Sequence, residues 1–232
     1  MSEAVIILQA RTASSRLPRK VLAPIGARAL VAHCLARLRI GGAAPVLLAT
    51  TTNPEDDALA AIAARYNVPV FRGPAEDVLQ RYVLAAGSVG ARFVVRATGD
   101  NPAIDIGGPG RVLAVLRASG ADHVIEDGLP YGAAVEGVTV DALNRALARA
   151  TDPSDREHVT TLIRSDRRHF SPLSVPAPKP VQRPELRVTV DTEGDLRFMR
   201  QIAARVGNWS GEPELPAILH AVDALSTAQR CA

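Results

Sequence analysis

The chain has 232 residues, 47% of them hydrophobic, with 3% aromatic side chains and a formal net charge of +3. That is enough for one large core. The basic residues are scattered among acids and base-stacking aromatics are scarce, which excludes a nucleic-acid polymer as partner. No apolar run approaches the roughly 20 residues of a membrane span, and MSEAVIIL lacks a basic, cleavable leader pattern, so no membrane partner is expected and the expected location is cytoplasmic. Cys34 and Cys231 form no C-x-x-C pair, which fits a reducing compartment and argues against structural zinc; Cys34, inside ALVAHCLARL, reads as a small buried hydrophobe.

In chain order, the apolar run AVIILQ (4–9) predicts a strand buried on both faces. It breaks into ARTASSRLPRK, where Arg11, Arg16, Arg19 and Lys20 accompany Thr12, Ser14 and Ser15. Only Lys20 and Lys179 among the 27 basic residues are lysine. A helix follows over ALVAHCLARLR (29–39), a strand over PVLLAT (45–50), and a helix over NPEDDALAAIAARY (53–66), opened by Asn-Pro and first-turn acids. Next come a strand at VPVF (68–71), a helix over AEDVLQRYVLAAGSVG (75–90), and a strand, RFVVRAT (92–98), running into GDNP. This alternation continues to residue 119 and implies parallel strands with right-handed crossovers in a three-layer α/β/α sandwich. Ligands in such sheets sit beyond the carboxyl ends of the strands, where both the cationic loop and GDNP fall.

From about residue 120 the rhythm loosens. Strand-like DHVI and AAVEGVTV, a helix through DALNRALARA, SDREHVTTLIRS, the extended HFSPLSV and the Pro-rich connector PAPKPVQRP precede a predicted strand, LRVTVDT (186–192), and two helices, EGDLRFMRQIAARV and LPAILHAVDALS. The expectation is a single domain over 1–232, its sheet mixed but mostly parallel, with a small antiparallel extension across 120–185.

Several chemistries are excluded by missing motifs. There is no P-loop, no G-x-G-x-x-G after the first strand, no G-x-S-x-G and no H-E-x-x-H, and the histidines at 33, 123, 158, 169 and 220 lack metal-ligand spacing. Three segments remain. ARTASSRLPRK offers guanidinium forks, an ammonium and hydroxyls, a mixture suited to phosphate, although a solvated basic loop has the same composition. RATGDNPAID places Asp100, and beyond a turn Asp105, at a strand end, where a carboxylate suits a hard cation such as Mg²⁺; G-D-N-P is equally good turn chemistry. VTVDTEGDL places Asp191 just before a helix, where Asp191 or Thr192 is also a fitting N-cap. Together, two carboxylates and a phosphate-suited loop at strand ends form the set that metal-assisted nucleotidyl transfer needs.

In this order, IILQARTASSRLPRKVLAPIGARAL, FRGPAEDVLQRY, RATGDNPAID, DREHVT and LRVTVDTEGDL closely resemble the SpsF-like cytidylyltransferases of the spore-coat-polysaccharide type, relatives of the CMP-acylneuraminate and CMP-KDO synthetases. The resemblance runs from residue 4 to about 205. It implies a nucleotide-diphospho-sugar transferase fold and Mg²⁺-dependent transfer of CMP from CTP to an acidic sugar, or a related small acid such as a phosphonate, with release of pyrophosphate. Carried over residue by residue, it implies catalytic roles for Arg11, Arg16, Lys20 and Asp100. Nucleotide contacts are implied for Ala10, Arg11, Ser14, Ser15, Arg16, Lys20, Arg72, Asp77 and Arg81, acceptor contacts for Asn101, Glu136, Arg156 and His158, and metal ligation for Asp100 and Asp191. The extension at 120–185 would bind the acceptor and form a homodimer. Ala13 and Arg19 depart from the family pattern, standing where its members commonly have glycine. AIDIGGPG and PYGAAVEGV also depart, near the expected acceptor pocket. Two other readings stay open: a glycosyltransferase with GDN in place of a degenerate D-x-D, and a non-catalytic nucleotide-sensing module.

Overall fold

The computed structural model describes residues 3–209 and 211–230, with residues 226–230 described by backbone alone; Cys231 lies outside the described residues. Strand β1 (Ala4–Gln9) feeds two cores at once: Ala4, Ile6 and Leu8 enter one, while Val5 and Ile7 enter the other. Each fully buried Ile or Leu here contributes about 1.5–3 kcal/mol, so β1 is a firm anchor for the loop that leaves it. That loop leads through a small hairpin, β2 (Pro24–Ile25) and β3 (Arg28–Ala29), into α1 (Leu30–Ile40). The units β4 (Val46–Thr51), α2 (Asp57–Arg65), β5 (Val70–Gly73), α3 (Val78–Ser88), β6 (Phe93–Thr98) and α4 (Gly108–Ser119) complete the alternating half.

The second half comprises β7 (His123–Asp127), β8 (Glu136–Thr139), α5 (Val140–Arg149), α6 (Pro153–His158), α7 (Thr161–Ser165), β9 (Pro172–Pro176), α8 (Glu193–Arg205) and α9 (Leu215–Arg230). All seven longer strands join one sheet in the order β5-β4-β1-β6-β8-β7-β9. One core lies under α1, α2, α4, α8 and α9, and the other under α3, α5 and α7, giving three layers. Strand β1 pairs in parallel with both β4 and β6, and the strand order reverses between β1 and β6. The crevice at such a reversal is where open α/β sheets bind ligands.

Two expectations are modified. The antiparallel character expected across 120–185 is confined to β8, which sits inside the sheet between β6 and β7 and opposes both; β9 is parallel to β7. The strand expected at 186–192 joins no sheet. Its alternating Val188 and Val190 are fully buried, which produces the strand-like pattern, but its backbone is shared between two loops. Tyr131 N–H donates to Leu186 O (2.9 Å), Val188 N–H to Tyr131 O (2.8 Å), and Val190 N–H to Asp100 O (2.9 Å). The segment is a stitch that ties the loop before β8 to the loop after β6.

Two glycines allow these close approaches. A Cβ on Gly99 would lie 2.7 Å from Ala10 Cβ, so a side chain there would push β6's exit off the loop after β1. Gly132, at φ +99°, would bring a Cβ within 2.6 Å of Thr189 N, so both its conformation and its neighbour require glycine.

Candidate active site

The carboxyl ends of β1 and β6, the 128–134 segment before β8 and the start of α7 enclose a cavity of about 660 Å³. At one end stands Lys20, in a 3-10 turn (Lys20–Leu22) that ends the cationic loop. It is 9% exposed, and its ammonium donates to Asp100 Oδ2 (2.9 Å), Asp191 Oδ1 (2.8 Å) and the Val190 carbonyl (2.9 Å). Its three protons therefore meet three acceptors. One side chain joins a residue just beyond β6 to a residue at the head of α8, across 91 positions of sequence separating Asp100 from Asp191.

Asp191 also accepts from Arg16 Nη2 at Oδ1 (2.8 Å) and from Arg187 Nη2 at Oδ2 (2.5 Å). Burial alone would raise its pKa; the bonds from Lys20 and Arg187 and the charge of Arg16 outweigh that and hold the carboxyl below the ordinary range. The N-cap of α8 is Thr192, whose hydroxyl accepts from Asp195 N while Asp195 Oδ2 accepts from the backbone of Thr192, a capping box. With the cap filled by its neighbour, the Asp191 carboxylate faces the cavity.

The loop between β1 and Lys20 closes on itself, with Arg19 N–H donating to Thr12 O at 3.0 Å. Arg19 takes the left-handed conformation (φ 58°, ψ 21°) that glycine would adopt most readily, whereas Ala13 is not among the positive-φ residues. The departure at Arg19 therefore keeps the turn and places a guanidinium-bearing side chain on an exposed position. Ala10, Ser14 and Ser15 line the cavity. Arg11 reaches its rim, donating to Ala75 O (3.2 Å) and Glu157 Oε1 (3.3 Å).

At the other end lies Glu136, the first residue of β8 and 7% exposed. Arg96 Nη1 donates to its Oε2 (3.2 Å), the Thr160 hydroxyl donates to the same oxygen (2.7 Å), Arg164 Nη1 lies 3.7 Å from Oε1, and His123 Nε2 lies 3.7 Å from Oε2. Burial pushes the Glu136 carboxyl up, but the Arg96 charge, His123 and the Thr160 bond outweigh it and leave the group well below the usual range. Thr160 is aimed by a γ-turn: its N–H bonds His158 O at 2.6 Å around Val159, which sits at φ 61°, ψ −58° and is fully buried. A β-branched residue in that region is strained, and here the strain falls between two cavity-lining residues, His158 and Thr160.

Not every residue implied by the resemblance is brought in. Arg81 lines the cavity and is 1% exposed, pinning the turn before α3 through Pro74 O (2.5 Å) and Ala75 O (3.3 Å). Asn101 lines it too, with its amide donating to Thr98 Oγ1 (2.8 Å). Arg72, Asp77 and Arg156 do not line it. Arg72 pairs with Asp57 on α2 (2.5 Å), and Asp77 caps α3 by accepting from Gln80 N (2.8 Å) while also bonding the Arg156 guanidinium. Asp105 is buried and bonds Arg111, so it belongs to the packing behind the site.

Sequence reasoning passed over Arg96, Thr160, Arg164, Arg187 and Tyr131. Arg187 stacks over the Tyr131 ring (4.9 Å to the centroid) while bonding Asp191. Arg96 did carry a signal: a lone charge in the apolar strand FVVRAT is costly to bury and requires a partner.

Asp100 and Asp191 form a hard-oxygen pair, with Asp100 bonded to Lys20 through Oδ2. Among the described residues no group of three His, Cys, Asp or Glu could hold a metal ion by itself. Two carboxylates at a cationic loop fit a hard cation that takes its remaining oxygens from phosphate and water.

Comparison with known proteins agrees with this geometry. The cytidylyltransferase family model matches residues 5–206. The chain is 30% identical over 216 residues to the spore coat polysaccharide biosynthesis protein SpsF of Bacillus subtilis, covering 89% of each chain. It is 31% identical over 190 residues to a 3-deoxy-manno-octulosonate cytidylyltransferase of Leptothrix cholodnii, covering 76% of this chain and 66% of that one. A solved cytidylyltransferase structure from Leptospira borgpetersenii superposes with a TM-score of 0.89 at 26% identity, covering 98% of this chain and 96% of that chain. With the strand-order reversal, the cationic loop and the paired carboxylates in place, these matches show that the chain belongs to the cytidylyltransferase family of nucleotidyltransferases.

Proposed function

We propose that this enzyme transfers CMP from CTP to a small acidic acceptor, an acidic sugar or a phosphonate, with Mg²⁺ held by Asp100 and Asp191. The observation that carries the reading is the Lys20 ammonium joining both carboxylates at 2.9 and 2.8 Å in the crevice between β1 and β6. An acceptor oxygen bonds to the α-phosphorus, the bond from that phosphorus to its bridging oxygen breaks, and pyrophosphate leaves with the electron pair. When bound, Mg²⁺ supplies charge neutralisation on the phosphate oxygens. The chain's own residues do the rest. Lys20, Arg16 and Arg11 hold the triphosphate, backbone amides of residues 13–15 orient it, and the buried Arg81 shapes the side of the cavity leading to α3. Such displacement depends on positioning and electrostatics more than on a covalent intermediate.

The acidic acceptor is supported by charge at the far end. At Glu136 itself two guanidiniums, Arg96 and Arg164, meet one carboxylate. The name of the Leptothrix relative, an octulosonate cytidylyltransferase, points the same way. The test is a pyrophosphate-release screen of the four nucleoside triphosphates, with Mg²⁺, against keto-acid sugars, sugar phosphates and phosphonates. The expected result is release with CTP and one acidic acceptor class. Turnover with neutral acceptors only would overturn the acceptor assignment, and release of a nucleoside diphosphate from a sugar nucleotide would favour the glycosyltransferase reading.

A further inference from the structure

Behind the cationic loop, away from the cavity lining, lies a carboxylate that makes no ion pair within 4.0 Å among the described residues. Asp56 ends the 3-10 turn Pro54–Asp56 ahead of α2 and is 1% exposed. Its Oδ1 accepts from the Thr12 N–H (2.7 Å) and the Thr12 hydroxyl (2.7 Å). Its Oδ2 accepts from the Thr50 hydroxyl (3.0 Å), the Thr51 hydroxyl (2.6 Å) and the Thr51 N–H (3.3 Å). One oxygen thus serves the loop and the other serves the end of β4.

A buried carboxylate costs a great deal of desolvation, and five neutral donors are what make it tolerable here. Burial alone raises its pKa, yet those bonds hold it below the ordinary range, so it remains an acceptor-only group at neutral pH. Asparagine is no equivalent, because in either flip its NH₂ would face donors, one of them a backbone N–H whose direction cannot be changed. The carboxylate's reach continues through Thr12: the Thr12 carbonyl accepts from Arg19 N–H (3.0 Å), which closes residues 13–18 into a ring, and Lys20 follows directly. Both ends of the cationic loop are therefore referenced to one buried group. This also accounts for how the loop keeps its shape with arginine at the left-handed position, since the closing bond is drawn to a threonine that is itself held from behind.

We infer that Asp56 is a positioning residue for the triphosphate-binding loop, acting through Thr12. The inference rests on reading that loop as the triphosphate's, and the experiment separates the two. In the whole protein, Asp56→Asn and Thr12→Val are compared with Thr50→Val, which removes a bond to the same carboxylate on the β4 side only. Two readouts are taken: the dissociation constant for Mg²⁺·CTP by calorimetry, and amide hydrogen exchange in the nucleotide-free protein. Losing hydrogen bonds to a charged acceptor should weaken CTP binding about tenfold in Thr12→Val and more in Asp56→Asn, with acceptor KM within about threefold. Exchange should accelerate over residues 12–20 in both. Thr50→Val should lower the melting temperature yet leave CTP affinity within about twofold.

If Asp56→Asn does not fold, Thr12→Val carries the comparison. The inference is overturned if Thr12→Val binds CTP and exchanges like wild type. It is equally overturned if Thr50→Val weakens CTP as much as Thr12→Val does, because general loosening would then explain both. Failure of the wild-type protein to bind CTP refutes the reading of the loop's ligand; exchange over residues 12–20 then decides whether Asp56 orders the loop.

Discussion

Each end of the cavity buries a carboxylate, Asp191 at one and Glu136 at the other, but the two are partnered differently. Lys20 and Asp191 are buried, but two of the charges around them reach solvent: Arg16 is 67% exposed in its side chain and Asp100 28%. Around Glu136 the carboxylate is 10% exposed in its side chain and enclosed by Arg96, Thr160 and His123, with only Arg164 reaching in from an exposed position. Partners at a surface exchange readily, whereas partners in a buried network are costly to separate. On the proposed reading this is a division of labour: the phosphate end keeps outer charges that a ligand can trade for, while the acceptor end uses its charge mainly to hold a shape.

The sharpest way to break this contrast is at the phosphate end. Asp100→Asn and Asp191→Asn should each lower kcat by about a thousandfold or more, with the circular dichroism spectrum unchanged. Near-normal turnover in both would remove the metal assignment. Asp191→Asn should also lower the melting temperature more than Asp100→Asn, since it deprives Lys20, Arg16 and Arg187 of a shared counter-charge.

An intermediate effect is expected at the acceptor end. Glu136→Gln should raise the acceptor KM about tenfold and leave the KM for CTP within about threefold, a split that steady-state kinetics measures directly. It should also change acid stability. The folded-state pKa of Glu136 lies below its unfolded value, so its stabilisation is fully present above about pH 4.3 and is lost as pH falls through the folded value. Melting curves from pH 7 down to pH 3 should therefore fall less steeply in the Gln variant below about pH 4.3; identical slopes would mean that Glu136 does not carry the acid sensitivity.

The smallest effect is expected at Arg72, which is paired with Asp57 outside the cavity. Arg72→Ala should change the KM for CTP by less than about twofold, as removal of a partly exposed ion pair usually does little. A tenfold rise would instead bring Arg72 onto the nucleotide, as the family resemblance implies.

The phosphate end was largely legible because its residues follow long apolar strands, and the exit from a buried strand is a well-marked place. AVIILQ and RFVVRAT are such strands, and the loops after them do meet. Asp191 was recognised for its place before a helix, but the segment carrying it was misread: alternating apolar residues mark an extended chain with one buried face, and they do not say whether its backbone bonds a strand or two loops. Arg72, Asp77 and Arg156, implied as contacts by the family resemblance, do not line the cavity. Each is a polar residue in a matching segment, yet local partners within the fold occupy all three. Asp56 was hidden for another reason. In NPEDD an acid reads as a helix-start residue, and only the folded chain shows that Thr12 lies against it.

Strand β8 runs against its neighbours, so its first residue, rather than its last, reaches the edge where the parallel strands end. The chain therefore delivers Glu136 from the loop before a strand, while Lys20 and Asp100 arrive on loops after strands. The segment that leads into Glu136 is also stitched through Tyr131 to residues 186–188 and packs Gly132 on Thr189, so recutting residues 128–135 would shift the Asp191 end as well. One antiparallel strand thus couples the Glu136 end of the cavity to the Asp191 end through the loop that leads into it.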